Sequence, residues 1–184
     1  MTVFDSSARD LVLAHIRDVP DFPEPGIVFK DITPLLAAPA AFAAVVDAFA
    51  SHAGPFGVGP VDKIVGIEAR GFILAAPVAV QLGVGFVPVR KEGKLPGATL
   101  TGSYALEYGE ATIEVVTDAF AVGDRVLVID DVLATGGTAE ATVELVRRAG
   151  AEVVGLSVLL ELSFLEGRAR LAAGGDDVHA LITV

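Results

Sequence analysis

Two stretches of this chain are apolar almost without a break: Val126 to Ile129 reads VLVI, and Val153 to Leu160 reads VVGLSVLL. A strand with one wet face alternates apolar and polar residues. A continuous run implies burial on both faces, as in a parallel sheet covered by helices. Lys63 to Ile67 and VGFVPVRK read as two further strands. Helical spacing runs through Pro39 to Gly54, Gly71 to Leu82 and Ala139 to Ala149, and again in SFLEGRARLAAGG before a last strand, VHALITV. Strands alternating with helices of about 10–15 residues predict an α/β fold, a parallel twisted sheet flanked by helices on both faces.

The remaining segments are less regular. ARDLVLAHIRDV, preceded by Ser6 and Ser7, predicts an amphipathic helix reaching Val19 and ended by PDFPEPG. IVFKDITPLL is neither clearly strand nor clearly helix. Glu92 to Ser103 is polar and rich in Gly and Pro, a candidate mobile lid. YALEYGEATIEVV has strand character on both sides of Tyr108-Gly109, which predicts a hairpin or bulged pair.

The length, 184 residues, suits one domain with a real core, and 53% of residues are hydrophobic. No apolar run approaches the roughly 20 residues of a membrane span. No leader pattern opens the chain and there is no cysteine, so a cytoplasmic protein without disulfides or thiolate metal sites is expected. The net charge is −11. Such a field disfavours nucleic acid and anionic membranes as partners. A polyanionic ligand then needs a local set of donors strong enough to overcome it.

One stretch suggests where that happens. In VLVIDDVLATGGTAEA an apolar strand, Arg125 to Ile129, delivers Asp130 and Asp131 to the carboxyl edge of the sheet, where open α/β folds bind ligands. Gly136 and Gly137 then allow a tight turn into a helix, with Thr138 as the expected N-cap. Main-chain amides at a helix N-terminus form a cradle for a monophosphate. The two carboxylates would repel phosphate, so they suit hydroxyls, a metal or a developing cation beside it. A sugar phosphate meets both demands. The lysine of a P-loop is missing, and the pattern is not G-x-G-x-x-G.

VLVIDDVLATGGT resembles the phosphoribosyl pyrophosphate motif of type I phosphoribosyltransferases. The other segments resemble the adenine-specific family within that group. FPEPGIVFKDITPLL is similar to its base-binding segment, VGIEARGF to its pyrophosphate turn and RKEGKLPG to its lid. YALEYG is similar to its loop carboxylate motif, and LLELSFLEGRARL to its carboxyl-terminal base pocket. These matches run in family order from about Phe22 to Leu171. The resemblance implies a single domain over 1–184, with a hood of about residues 20–38 plus the C-terminal segment and a lid of about 91–110.

The implied reaction joins adenine to phosphoribosyl pyrophosphate and yields AMP and pyrophosphate. Its C1′ centre becomes oxocarbenium-like, so the site must hold ribose, neutralise the leaving group and align the base. By resemblance, Asp130 and Asp131 meet the ribose hydroxyls, and Ala134, Thr135, Gly136, Gly137 and Thr138 hold the 5′-phosphate. Glu68, Ala69 and Arg70 form the pyrophosphate turn, with a non-proline cis peptide expected there. Arg90, Lys91 and Lys94 supply cations, and Tyr108 closes over the pyrophosphate. Glu107 is the candidate acid, base or electrostatic carboxylate. Phe29 and Leu162 sandwich adenine, whose amino edge is read by the main chain of Val28 and Lys30. A carbonyl acceptor there rejects 6-oxo purines.

Mg²⁺ is implied as a cofactor held mainly by the substrate pyrophosphate, with no protein metal ligands assigned. A homodimer is also implied. Lys30 departs from the family's usual Arg, and Lys cannot reproduce a bidentate guanidinium fork. His15, His52 and His179 show no ligand spacing and read as surface or helix residues. The alternatives are a phosphoribosyltransferase for another base and a non-catalytic regulator of the same fold. For the lid cations and Phe29, solvated surface and plain core remain the competing readings.

Overall fold

The computed structural model describes residues 4–54, 57–105 and 109–184. Its main sheet has seven strands in the order β5-β6-β4-β3-β7-β8-β9. β4 (Gly85–Lys91), β3 (Lys63–Ile67), β7 (Arg125–Leu133), β8 (Glu152–Glu161) and β9 (Val178–Thr183) run parallel. β5 (Thr99–Ala105) and β6 (Glu110–Val116) add an antiparallel hairpin to the β4 edge. The expected parallel sheet is therefore mixed at one side. Within the lid segment Thr99 to Ala105 is strand and pairs residue by residue with Val116 to Glu110, the strand pairing expected on both sides of Tyr108-Gly109.

The apolar runs are buried on both faces, as their lack of alternation required. Ile64, Leu127, Ile129 and Leu159 pack with α3 (Pro39–His52) and α4 (Arg70–Leu82) through Val45, Phe49, Leu74 and Val78. Val65, Ile67, Val126, Val128 and Val158 pack with α5 (Gly137–Arg148) and α6 (Gly167–Ala173) through Leu145, Val146 and Leu171. Alternate residues of one strand thus serve two cores. No helix of the described residues is long and apolar enough to cross a membrane.

The amino-terminal helix is shorter than its pattern suggested. α1 covers Ser6–Leu13, and Arg17–Pro20 forms β1, antiparallel to β2 (Val28–Asp31), in a separate two-stranded sheet. The cause lies across the strands. Arg17 faces Asp31 and Asp18 faces Lys30 in register, and both pairs close as ion pairs, at 2.5 and 2.7 Å. The short helix α2 (Thr33–Ala37) leads from this hairpin into α3.

Candidate active site

β7 does not stop at Ile129. Its ladder with β8 continues through Val132↔Leu160 and Leu133↔Glu161, so both acids sit inside the strand near its carboxyl end. The segment after Leu133 turns at Gly136, whose φ of +83° is a left-handed conformation that suits glycine. Gly136, not Thr138, is the N-cap residue of α5, and no side chain caps this helix. An uncapped helix start leaves its first amides for a ligand. Ala134, Thr135, Gly136, Gly137 and Thr138 line a cavity of about 80 Å³ together with Asp130 and Val158. That is the space of a few water molecules, a scale suited to one tetrahedral anion.

This cradle is backed by α6. A Cβ built on Gly167 would lie 2.2 Å from the carbonyl oxygen of Ala134 and 3.0 Å from the amide nitrogen of Gly136. A Cβ on Gly136 would in turn meet Gly167 O at 2.9 Å. Two backbones touch here with no room for a side chain. α6 is itself clamped: Arg168 donates to both oxygens of Glu161 (2.8 and 2.5 Å) and to the Val178 carbonyl (2.6 Å), and Arg170 donates to Glu140 at 2.6 Å. Leu162 is anchored beside the cradle by its amide on Leu133 O at 2.9 Å.

The acid pair is electrostatically strained. Asp130 accepts from the Asp131 amide at 2.9 Å, and its Oδ1 lies so near α4 that a Cβ at Gly71 would be only 2.8 Å away. Burial, and then the charge of Asp131, push its carboxyl well above the ordinary range. Burial also raises Asp131, against the pull of Arg70. Arg70 Nε lies 2.7 Å from Asp131 Oδ2, yet that oxygen is buried without an aligned hydrogen bond. The same guanidinium sits 5.0 Å from the centre of the Phe29 ring, a cation–π distance. Arg70 therefore bridges the acid pair and the Phe29 ring.

The turn before α4 contains a cis Glu68–Ala69 peptide, as the resemblance led us to expect. The Glu68 side chain faces the cations: its Oε2 accepts from the Lys91 amide at 2.9 Å and lies 3.3 Å from Arg90 Nε. Desolvation opposes the charged form of Glu68, but these donors more than offset it and hold the carboxyl below its usual range. Lys91 and Lys94 are exposed. Phe29 is half-buried with its edge against Phe22, while Val28 is exposed. The Lys30 ammonium is committed to Asp18, with Nζ to oxygen distances of 2.7 and 2.9 Å. Glu107 and Tyr108 lie outside the described residues.

The structure also joins groups that the sequence left apart. His52 of α3 and His179 of β9 stack at 4.0 Å between ring centres. Burial lowers both, and His179 falls to about 4, helped by His52 and Arg168. His52 does lie in a helix, as expected, whereas His179 belongs to a strand, and both rings are half-buried. Gly167, Arg168, Asp31 and Glu114 were likewise missed. Among them only Gly167 carries a local clue, a glycine interrupting an otherwise helical segment.

A phosphate cradle, a strand-end acid pair and a basic turn at one carboxyl edge define a phosphoribosyltransferase, and the phosphoribosyl transferase domain family matches residues 31–172. The adenine phosphoribosyltransferase of Streptomyces coelicolor is 66% identical over 95% of this chain and 96% of its own length. The adenine phosphoribosyltransferase of Rhodothermus marinus has a crystal structure that matches with a TM-score of 0.89 at 53% identity, covering 98% of this chain and 100% of that one. The Saccharomyces cerevisiae enzyme, solved with adenine and an imino-altritol bisphosphate, matches with a TM-score of 0.91 at 38% identity, covering 97% and 100%. This chain belongs to the adenine phosphoribosyltransferases.

Proposed function

We propose that the protein transfers the 5-phosphoribosyl group of phosphoribosyl pyrophosphate to adenine, releasing AMP and pyrophosphate in purine salvage. The observation that carries this reading is the meeting of the uncapped amide cradle, the buried acid pair and Arg70 at one edge of the sheet. The 5′-phosphate occupies the cradle of Ala134 to Thr138. Asp130 and Asp131 take the ribose hydroxyls, and their charge stabilises the cation that develops at C1′. Arg70 leaves Asp131 for the pyrophosphate, joined by Arg90, Lys91 and Lys94. As the guanidinium moves, the Phe29 face opens to adenine.

Main-chain groups of Val28 and Lys30 read the amino edge. The Lys30 ammonium, tied to Asp18, is not needed for that reading. Glu107 assists the proton that leaves the adenine ring, and Tyr108 closes over the pyrophosphate. Among the described residues no group of three His, Cys, Asp or Glu is placed to hold a metal. The donor set fits Mg²⁺ as an ion carried mainly by the substrate's phosphates. When bound, the ion neutralises charge on the leaving group. Exposed Ile73 and Val80, one face of α4, support a homodimer.

The test is direct. Adenine, phosphoribosyl pyrophosphate and Mg²⁺ are mixed with the protein and AMP is followed, with hypoxanthine, guanine and xanthine as competitors. AMP forms and the 6-oxo bases compete weakly. The double variant Asp130→Asn/Asp131→Asn folds but loses at least about 10²-fold in turnover; unchanged turnover would remove the acids from the mechanism.

A further inference from the structure

Glu114 stands at a polar position of an alternating strand, yet the fold buries it. It lies in β6 between Ile113 and Val115, all three buried, and is only 4% exposed. In the ladder it faces Arg90 of β4 on one side and Thr101 of β5 on the other. A buried charge must find partners, and those of Glu114 are main-chain donors. Oε1 accepts from the amides of Lys94 at 2.8 Å and Leu95 at 2.7 Å. Desolvation pushes the carboxyl up, but these amides, with that of Gly93 and the Thr99 hydroxyl, outweigh it and keep it ionised.

The loop so gripped is the one that bears the exposed cations. Gly93 turns it at φ +77°. Arg90 Nη1 ties it again by donating to the Lys94 carbonyl at 3.0 Å. Its own sequence, EGKLPG, has little apolar surface to hold it in place. With the amides of Lys94 and Leu95 turned inward onto one carboxylate, the loop is held in shape before any ligand arrives. Preorganisation of this kind saves the ordering cost that a flexible loop meets on binding.

We propose that Glu114 is a positioning residue for pyrophosphate recognition, acting through the 93–95 amides to present Lys94. This rests on the reading that Lys94 meets the pyrophosphate group. Inhibition by pyrophosphate and the KM values for both substrates are measured for wild type, Lys94→Ala, Glu114→Gln and the double variant. Glu114→Gln turns an amide NH₂ toward the loop's own donors. It raises the pyrophosphate inhibition constant and the KM for phosphoribosyl pyrophosphate about tenfold. KM for adenine and cooperative unfolding stay as in wild type. In the Lys94→Ala background the same change adds less than about twofold, because its route to the ligand is gone.

Full additivity, or a normal inhibition constant in Glu114→Gln, overturns the proposal and leaves the lid reading standing. A normal constant in Lys94→Ala overturns the lid reading and this proposal with it. If Glu114→Gln does not fold, Glu114→Asp, whose shorter side chain draws the carboxylate back from the Lys94 and Leu95 amides, carries the same comparison, with an expected rise of about threefold; a value equal to wild type there also overturns the proposal.

Discussion

In the function proposed above, the two ends of the substrate meet different materials. The cradle for the 5′-phosphate is main chain: glycines, amides and a helix start, pressed against the backbone of a second helix at Gly167. The pyrophosphate end is side chain: its two arginines are already paired with carboxylates, and its lysines are exposed, Lys94 on a loop whose amides a carboxylate holds. Arg70 lies on Asp131, Arg90 on Glu68, and the Lys94 loop on Glu114. The contrast shows how a protein of net charge −11 handles a polyanion. A monophosphate is held by fixed dipoles that need no counter-charge. The diphosphate is met by side-chain cations, and at the two arginines binding exchanges one anion for another.

That comparison can be broken most severely at Gly167. Gly167→Ala places a carbon 2.2 Å from the Ala134 oxygen, so the loop must shift. A displacement of that order lowers kcat/KM for phosphoribosyl pyrophosphate by about 10²-fold. Steady-state kinetics check this; normal values would show the cradle to be pliable and erase the contrast.

Next is the cost stored in the acids. Asp130 has a raised folded-state pKa, so its contribution to stability declines as pH rises past the ordinary value of 3.8. Asp130→Asn therefore stabilises the free protein at neutral pH, by about 2–4 °C in Tm for a gain of about 1 kcal/mol. The gain shrinks in acid, where the wild-type carboxyl is protonated in both states. Thermal unfolding at two pH values decides, and a lowered Tm at neutral pH contradicts the assigned strain.

Salt sharpens the comparison further. Raising ionic strength roughly tenfold shortens the screening length about threefold. Inhibition by pyrophosphate, met by exposed lysines, weakens about threefold, whereas inhibition by ribose 5-phosphate, seated on buried amides, changes less. Equal sensitivities would mean that both ends bind through exposed charge.

The smallest effect lies outside both regions. His179 is held near 4, below its usual 6.5, so folding favours the neutral ring. The stability tied to that ring is fully present above 6.5 and is lost as pH falls toward 4. His179→Phe flattens the dependence of Tm on pH over that window; an unchanged slope would free the stacked pair of the role.

Much of the site was legible because its signals are local. The apolar run into Asp130 and Asp131, and the glycines that follow, lie within one short stretch whose chemistry can be read residue by residue. Lys63 to Ile67 matched its strand to the residue for the same reason. Other parts depended on partners distant in the chain. Arg17 to Val19 continue a helical pattern, yet they become strand, with Asp31 and Lys30 opposite Arg17 and Asp18. Glu114 reads as an ordinary polar residue of an alternating strand until β4 and the 93–95 loop close over it. Nothing near His52 announces His179.

The chain by itself determined the class of fold, the carboxyl edge where chemistry occurs and the residue types gathered there, since hydrophobic period and turn chemistry act over a few neighbouring residues. Only the tertiary structure decided which carboxylate holds which cation, which glycine lets two backbones touch and which buried groups share a charge. Those outcomes depend on distances between segments, and contact energies and pKa shifts change over a few ångströms that no local pattern specifies.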